Sequence, residues 1–283
     1  MPNHAAAFAP LRPEPLTRRA RVWRSLFLSD LHLGSGRGRP QQVIDFLSHS
    51  RADSIYLVGD IFDGWNPQGR RSAPLPDHRL LLTRLETLAG DGSRIVLVPG
   101  NHDSSFRRLS GRTIGPLEVR EETHHTLADG RRMLVTHGDG SDPLMALGQL
   151  VGWTGGKLDI LIRRANAEVN RLRAQLGAET STWVERQLIR VNAALHPRAT
   201  YATRLTLRAR HLGFDGVICG HYHIPALTQL DGITYANCGD WLDHFSAVTE
   251  TGEGVLSLVR WPEAVSAPAA SPQPLPAGGL PVA

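Results

Sequence analysis

The chain has 283 residues, 41% hydrophobic and 20% charged, enough to bury the core of one large domain or two small soluble ones. No run approaches the roughly 18–20 apolar residues of a membrane-spanning helix. Two cysteines, Cys219 and Cys238, exclude a disulfide framework and a C-x-x-C motif. The formal net charge is +4, and Lys157 is the only lysine, so nearly all the positive charge is arginine.

Residues 1–20 are rich in Pro, Arg and Ala, with neither periodicity nor the continuous apolar stretch of a secretory signal, and are expected to be a flexible tail. A cytoplasmic protein is therefore expected, peripheral at most on the inner face of the membrane. Short apolar runs follow at Val22–Ser29, Ser54–Val58 and Arg94–Val98, each ending abruptly in Gly, Asp or Pro. Helical patterns at Gln41–His49 and Asp77–Ala89 lie between them, and strand–helix–strand spacing of this kind predicts parallel βαβ units. Thr123–Leu127 and Arg131–Thr136 read as a hairpin turning at Asp129-Gly130, with His124-His125 expected as surface decoration.

From about Asp142 to Leu212 the pattern changes. Leu158, Leu161, Ile162, Ala165, Val169, Leu172 and Leu176 recur at helical spacing, and Trp183, Leu188, Val191 and Leu195 mark a second helix stopped near Pro197. A third runs to about Arg210. Between Pro143 and His211 eleven basic residues, among them Arg163, Arg164 and Arg171, stand against four acidic ones, a local excess of 11 − 4 = +7. A basic helical insertion in an otherwise mildly acidic chain suits an anionic ligand, or is a solvated face over ordinary core. Strands are expected again at Gly216–Cys219, Ala226–Leu230, Ile233–Asn237, Phe245–Thr249 and Gly254–Trp261. Residues 262–283 hold six prolines and are expected to be disordered. Cys219 and Cys238 fall in strands and are expected in the core.

Five clusters carry the chemistry: Asp30-Leu-His32, Gly59-Asp60-Ile-Phe-Asp63, Gly100-Asn101-His102-Asp103, Thr136-His137-Gly138-Asp139 and Gly220-His221-Tyr-His223. Four directly follow an expected strand, and ligands of α/β sheets bind outside the carboxyl ends of strands. Mixed imidazole, carboxamide and carboxylate donors suit borderline divalent metals, Mn most of all, with Fe and Zn as alternatives, over Mg or Ca. Two such ions over Asp30 and Asp60 would leave a net positive site that attracts a phosphate anion.

The ordered set S-D-L-H-L-G, L-V-G-D-I-F-D, P-G-N-H-D, T-H-G-D and G-H-Y-H resembles the calcineurin-like metallophosphoesterases across roughly residues 24–249. The resemblance implies an α/β fold, a ββ sandwich flanked by helices (αββα), here spanning residues 21–261 with a helical cap insertion at about 142–212. It implies a dinuclear centre in which Asp30, His32, Asp60 and His223 hold one ion. Asp60, Asn101, His137 and His221 would hold the other. His102 would face the phosphate and stabilise the transition state or protonate the leaving group, and Asp103 would orient it. Tyr235-Ala-Asn-Cys-Gly-Asp240-Trp241 and the insertion are similar to the UDP-2,3-diacylglucosamine hydrolase-like branch, although those enzymes usually carry Arg where this chain has His102. That branch implies pyrophosphate cleavage in lipid A biosynthesis, an anionic lipid or nucleotide-sugar as partner, and Arg163, Arg164 and Arg171 as candidate substrate contacts. A DNA exonuclease or other phosphodiesterase of the superfamily is the alternative. Such nucleases usually carry Gly-Ser where this chain has Gly239-Asp240, so nucleic acid is not the expected partner.

Overall fold

The structure, a computed structural model, describes residues 14–15, 21–69, 73–142 and 198–261. The strands are β1 (Glu14–Pro15), β2 (Arg21–Leu28), β3 (Ser50–Val58), β4 (Arg94–Val98), β5 (Thr113–Ile114), β6 (Leu117–Val119) and β7 (Thr123–Thr126). They continue with β8 (Arg132–Val135), β9 (Gly216–Cys219), β10 (Ala226–Leu230), β11 (Ile233–Asn237), β12 (Ser246–Glu250) and β13 (Leu256–Arg260). Helices α1 (Pro40–Ser48), α2 (Pro76–Gly90) and α3 (Arg198–His211) complete the described elements, with short 3-10 turns at Ser104–Leu109 and Asp139–Ser141.

Two sheets form, in the order β1-β13-β12-β2-β3-β4-β6-β5 and β10-β11-β9-β8-β7. The central β2, β3, β4 and β6 run parallel, as do β8, β9 and β11. Strand side chains alternate between faces, and here each face has its own core. Along β4, Ile95 and Leu97 join a cluster with Val43, Phe46 and Leu47 of α1 and Leu81, Leu85 and Leu88 of α2. Val96 and Val98, on the other face, meet Met133, Val135 and Ile218 of the second sheet. That sheet repeats the alternation, turning Leu134, Val217 and Cys219 toward Tyr201, Ala202, Leu205 and Ala209 of α3. The result is a four-layer αββα sandwich, the architecture expected from the sequence. Both cysteines are free and buried.

Three expectations need correcting. Glu14–Pro15, placed in a flexible tail, pairs in parallel with Val259–Arg260 as an edge strand. The last helix of the insertion, α3, is a layer of the sandwich against β9 and β11, so the cap can comprise only earlier residues. Those earlier residues, 143–197, lie outside the described residues, together with the two helices expected there and Arg163, Arg164 and Arg171. Finally, His125 is no surface decoration. It is buried, with Nε2 at 2.7 Å from Glu250 Oε2 and Nδ1 at 3.0 Å from the Tyr56 hydroxyl. His124 beside it is exposed, since neighbouring strand residues face opposite ways.

Candidate metal centre

All five sequence clusters come together at one end of the sandwich. Asp30 and His32 follow β2, Asp60 follows β3, Asn101 and His102 follow β4, His137 follows β8, and His221 and His223 follow β9. Donor atoms of Asp30, His32 and His223 lie within 4.8 Å of one another, as do those of Asp30, Asp60 and His137 and those of His32, Asp60 and His102. Among the described residues seven that are not glycine have positive φ, and five of them are Asp30, His32, Asp60, His221 and His223 at 46–71°. Each such left-handed residue costs about 1–3 kcal/mol, a strain that recurs where side-chain aim matters more than backbone comfort. Two glycines allow the close approach: a Cβ on Gly100 would strike Asp60 Oδ1, and one on Gly220 would strike Ser29 Oγ.

Each central carboxylate has one oxygen anchored and the other directed inward. Asp30 Oδ2 accepts from the Ser29 hydroxyl at 2.6 Å and the His221 backbone N–H at 3.0 Å. Its Oδ1 has no hydrogen bond, though His223 Nε2 approaches to 3.1 Å. Asp60 Oδ1 accepts from the His102 backbone N–H at 2.8 Å, while Oδ2 stands 3.5 Å from His137 Nε2 and 3.9 Å from His32 Nε2.

The imidazoles are oriented in the same manner. His137 Nδ1 lies 3.0 Å from the Val58 carbonyl and can only donate to it, so Nε2 turns inward and offers its lone pair whenever a cation displaces the proton there. His32 Nδ1 lies 3.1 Å from Asp63 Oδ1, leaving Nε2 toward His223 at 3.3 Å. A carboxylate or carbonyl behind the ring is the usual means of orienting a metal-binding histidine. His221 differs, for its Nε2 meets Asp142 Oδ2 at 3.0 Å. Asp142 is buried and was not singled out from the sequence.

Asp103 does not have the surroundings expected of it. The sequence reading made it the orienting partner of His102, but its carboxylate oxygens accept from the amides of Gly100 (2.7 Å), Ile61 (2.8 Å), Asp60 and Phe62 (both 3.3 Å). It clamps the loop after β3 to the loop after β4. The carboxylate beside His102 Nδ1 is that of Asp63, at 3.4 Å. Asp240 was noted only as part of a motif. Its Oδ1 accepts three successive amides, from Leu242 to His244, and its Oδ2 lies 3.8 Å from His223 Nδ1.

Burial opposes charge on these groups, yet their mutual attraction wins. Burial disfavours the His137 imidazolium, but the Asp60 carboxylate, with Asp30 and Asp139, pushes its pKa up to about 10. Asp60 is held well below the carboxylate range, since His137, His102 and His32 outweigh its burial. Asp63 stays near 2 against its own burial, through His102 and His32. Asp103 goes the other way, up to about 6, because burial and the Asp60 charge exceed the help of its amide donors. The carboxylates Asp60 and Asp63 thus stay ionised because positive neighbours hold them so, a role that a bound cation would also fill.

Three buried atoms without a hydrogen bond test the fit to metal: Asp30 Oδ1, Asn101 Oδ1 and His137 Nε2. Unpaired buried acceptors cost about 1–3 kcal/mol each, and all three belong to residues with lone pairs that a cation accepts. The donor set fits borderline divalent ions.

A strand-end cluster of carboxylate, imidazole and carboxamide on an αββα sandwich is the arrangement that the sequence resemblance implies. The calcineurin-like phosphoesterase family model matches residues 24–225, and the chain belongs to that family. A UDP-2,3-diacylglucosamine hydrolase of Nitrosococcus oceani is 29% identical, over 81% of this chain and 92% of its own length. The enzyme of the same name from Pectobacterium carotovorum is 25% identical over 84% and 99%, and that of Cellvibrio japonicus 29% over 71% and 82%. Among solved structures, Vps29 from Cryptosporidium parvum overlaps 83% of this chain and 94% of its own at 13% identity and a TM-score of 0.41.

Proposed function

We propose that the chain hydrolyses a phosphate ester or pyrophosphate with two divalent cations, Mn first among them. The substrate in this reading is a nucleotide-sugar lipid such as UDP-2,3-diacylglucosamine. The observation that carries the two-cation reading is the set of unpartnered inward-facing acceptors, supplied by three different strand ends. One cation falls to Asp30, His32, Asp60 and His223. The other falls to Asp60, Asn101, His137 and His221, with Asp60 shared. When bound, the pair would activate water and neutralise charge on the reacting phosphoryl group. The protein's own residues do the rest. Asp63 and Val58 fix the ring tautomers of His32 and His137. Asp63 also holds a proton on His102 Nδ1, and the ring's far edge can then serve the leaving oxygen.

The substrate reading is supported by the names of the relatives and by the +7 excess between Pro143 and His211, which suits an anionic lipid. Among the described residues no helix is long and apolar enough to cross a membrane.

Metal counting tests the centre. Dialysed against Mn and analysed by plasma mass spectrometry, the wild type should hold close to two ions per chain. Asp60→Ala should hold far fewer and lose p-nitrophenyl phosphate hydrolysis. An unchanged count in Asp60→Ala would remove Asp60 from the ligand set.

A further inference from the structure

On the far side of His137 the centre adjoins a cavity of about 390 Å³, within the size range of small-molecule sites. Its described walls are polar. Arg107 reaches in from the turn after Asn101-His102-Asp103, Asp139 from the loop after β8, Glu121 and Glu122 from ahead of β7, and Arg208 from α3. Ion pairs hold them in place. Arg107 Nη2 donates to Asp139 Oδ2 at 2.6 Å, and Arg208 forks onto both oxygens of Glu122 at 2.5 and 2.6 Å. The Thr136 hydroxyl adds a third bond to Glu122, at 2.7 Å.

The chemistry of this lining is selective. Three carboxylates face two guanidiniums, so the cavity has no surplus positive charge to draw a second phosphate. Among its described lining residues Pro99 is the only aliphatic side chain, which makes a poor seat for acyl chains. Carboxylate lone pairs accept hydroxyl protons, and guanidinium N–H groups donate to hydroxyl or carbonyl oxygens. A sugar ring offers both partners. His137 belongs to both the centre and the cavity wall, so the cavity lies one residue away from the candidate centre, where a ring bonded to a phosphate held there would be its nearest occupant.

We propose that the cavity is the subsite for the uncharged, hydroxyl-bearing ring joined to the reacting phosphate, with Arg107 and Asp139 as its specificity determinants. The proposal rests on the phosphoester hydrolysis proposed above and names which part of the substrate lies beyond His137. Nucleoside and N-acylated amino-sugar rings share the required chemistry, and the test separates them.

Inorganic phosphate, uridine 5′-monophosphate and N-acetylglucosamine 1-phosphate are compared as inhibitors of bis-p-nitrophenyl phosphate hydrolysis by the full chain with manganese. At least one ring phosphate should bind about tenfold or more tightly than inorganic phosphate, the scale of one good polar contact. Arg107→Gln should bring that ratio to within about threefold. The compound that gains identifies the ring. Equal inhibition by all three compounds would overturn the proposal, as would an Arg107→Gln variant that weakens all three alike. Should Arg107→Gln not fold, Glu121→Gln at an exposed position takes its place, and an unchanged ratio there counts equally against the subsite. If no aryl phosphate is hydrolysed at all, the proposed reaction fails. Calorimetric titration of the same three compounds then decides the cavity by the same ratios.

Discussion

Glu250 of β12 is fully buried between the two sheets, and its charge is secured from β2, from β7 and from the turn after β7. It accepts from Arg24 Nη1 at 2.5 Å, from His125 Nε2 at 2.7 Å and from the Ala128 amide at 2.8 Å. Burial alone would raise its pKa, but hydrogen bonds from His125, Ser25 and Ala128 hold it at about 2, against an ordinary 4.5. A depression of roughly 2.5 units corresponds to about 3 kcal/mol of folding stability at neutral pH. Because the folded-state value is the lower one, that stability is complete above about pH 4.5 and is lost as pH falls toward 2. Glu250→Gln keeps the shape and removes the charge. Urea unfolding should show the variant about 3 kcal/mol less stable at pH 7, and by under half that at pH 3. Ser25, in this cluster, lies five residues before Asp30 on an extended chain, about 17 Å at strand rise, so manganese binding should be unchanged. A penalty independent of pH, or one below about 1 kcal/mol at pH 7, would refute the charge argument.

His102→Ala should keep both ions while turnover falls about 10²–10⁴-fold, the usual scale for a positioned acid–base group; metal lost in step with activity would make His102 a ligand. Asp63→Asn should weaken manganese affinity about 10–100-fold, because it backs the His32 ring, and should lower turnover as well; competition titration with a chelating dye reads the first effect separately. Neutralising Arg163, Arg164 and Arg171 together should raise KM for an anionic lipid substrate at low salt and leave it nearly unchanged at high salt, where charges are screened.

How much of this was legible in the sequence follows from the range of the interactions. The candidate ligand clusters were visible because each lies within five residues of chain, and because apolar runs ending in Gly or Asp announce strand ends. The parallel order of β2, β3 and β4 followed from the helices between them. Asp63 was visible too, three residues after Asp60, but its task depends on where His32 and His102 arrive from two other strands. Asp103 was given the wrong neighbour for a similar reason. Adjacency to His102 in sequence suggested contact, whereas the left-handed turn at Asp60 brings three amides to its carboxylate and Gly100 adds a fourth. His125 was misplaced because its partner Glu250 is 125 residues away, and β-strand alternation does not say which face of a hairpin is covered. Asp142 escaped notice because nothing local marks it until β9 delivers His221 beside it. The donor atoms proposed to face metal were therefore readable from short motifs, while the groups that aim and charge them are tertiary contacts. Those contacts are where this chain can differ from relatives that share its motifs, and Asp63, Asp142 and Arg107 are the residues through which its specificity is open to experiment.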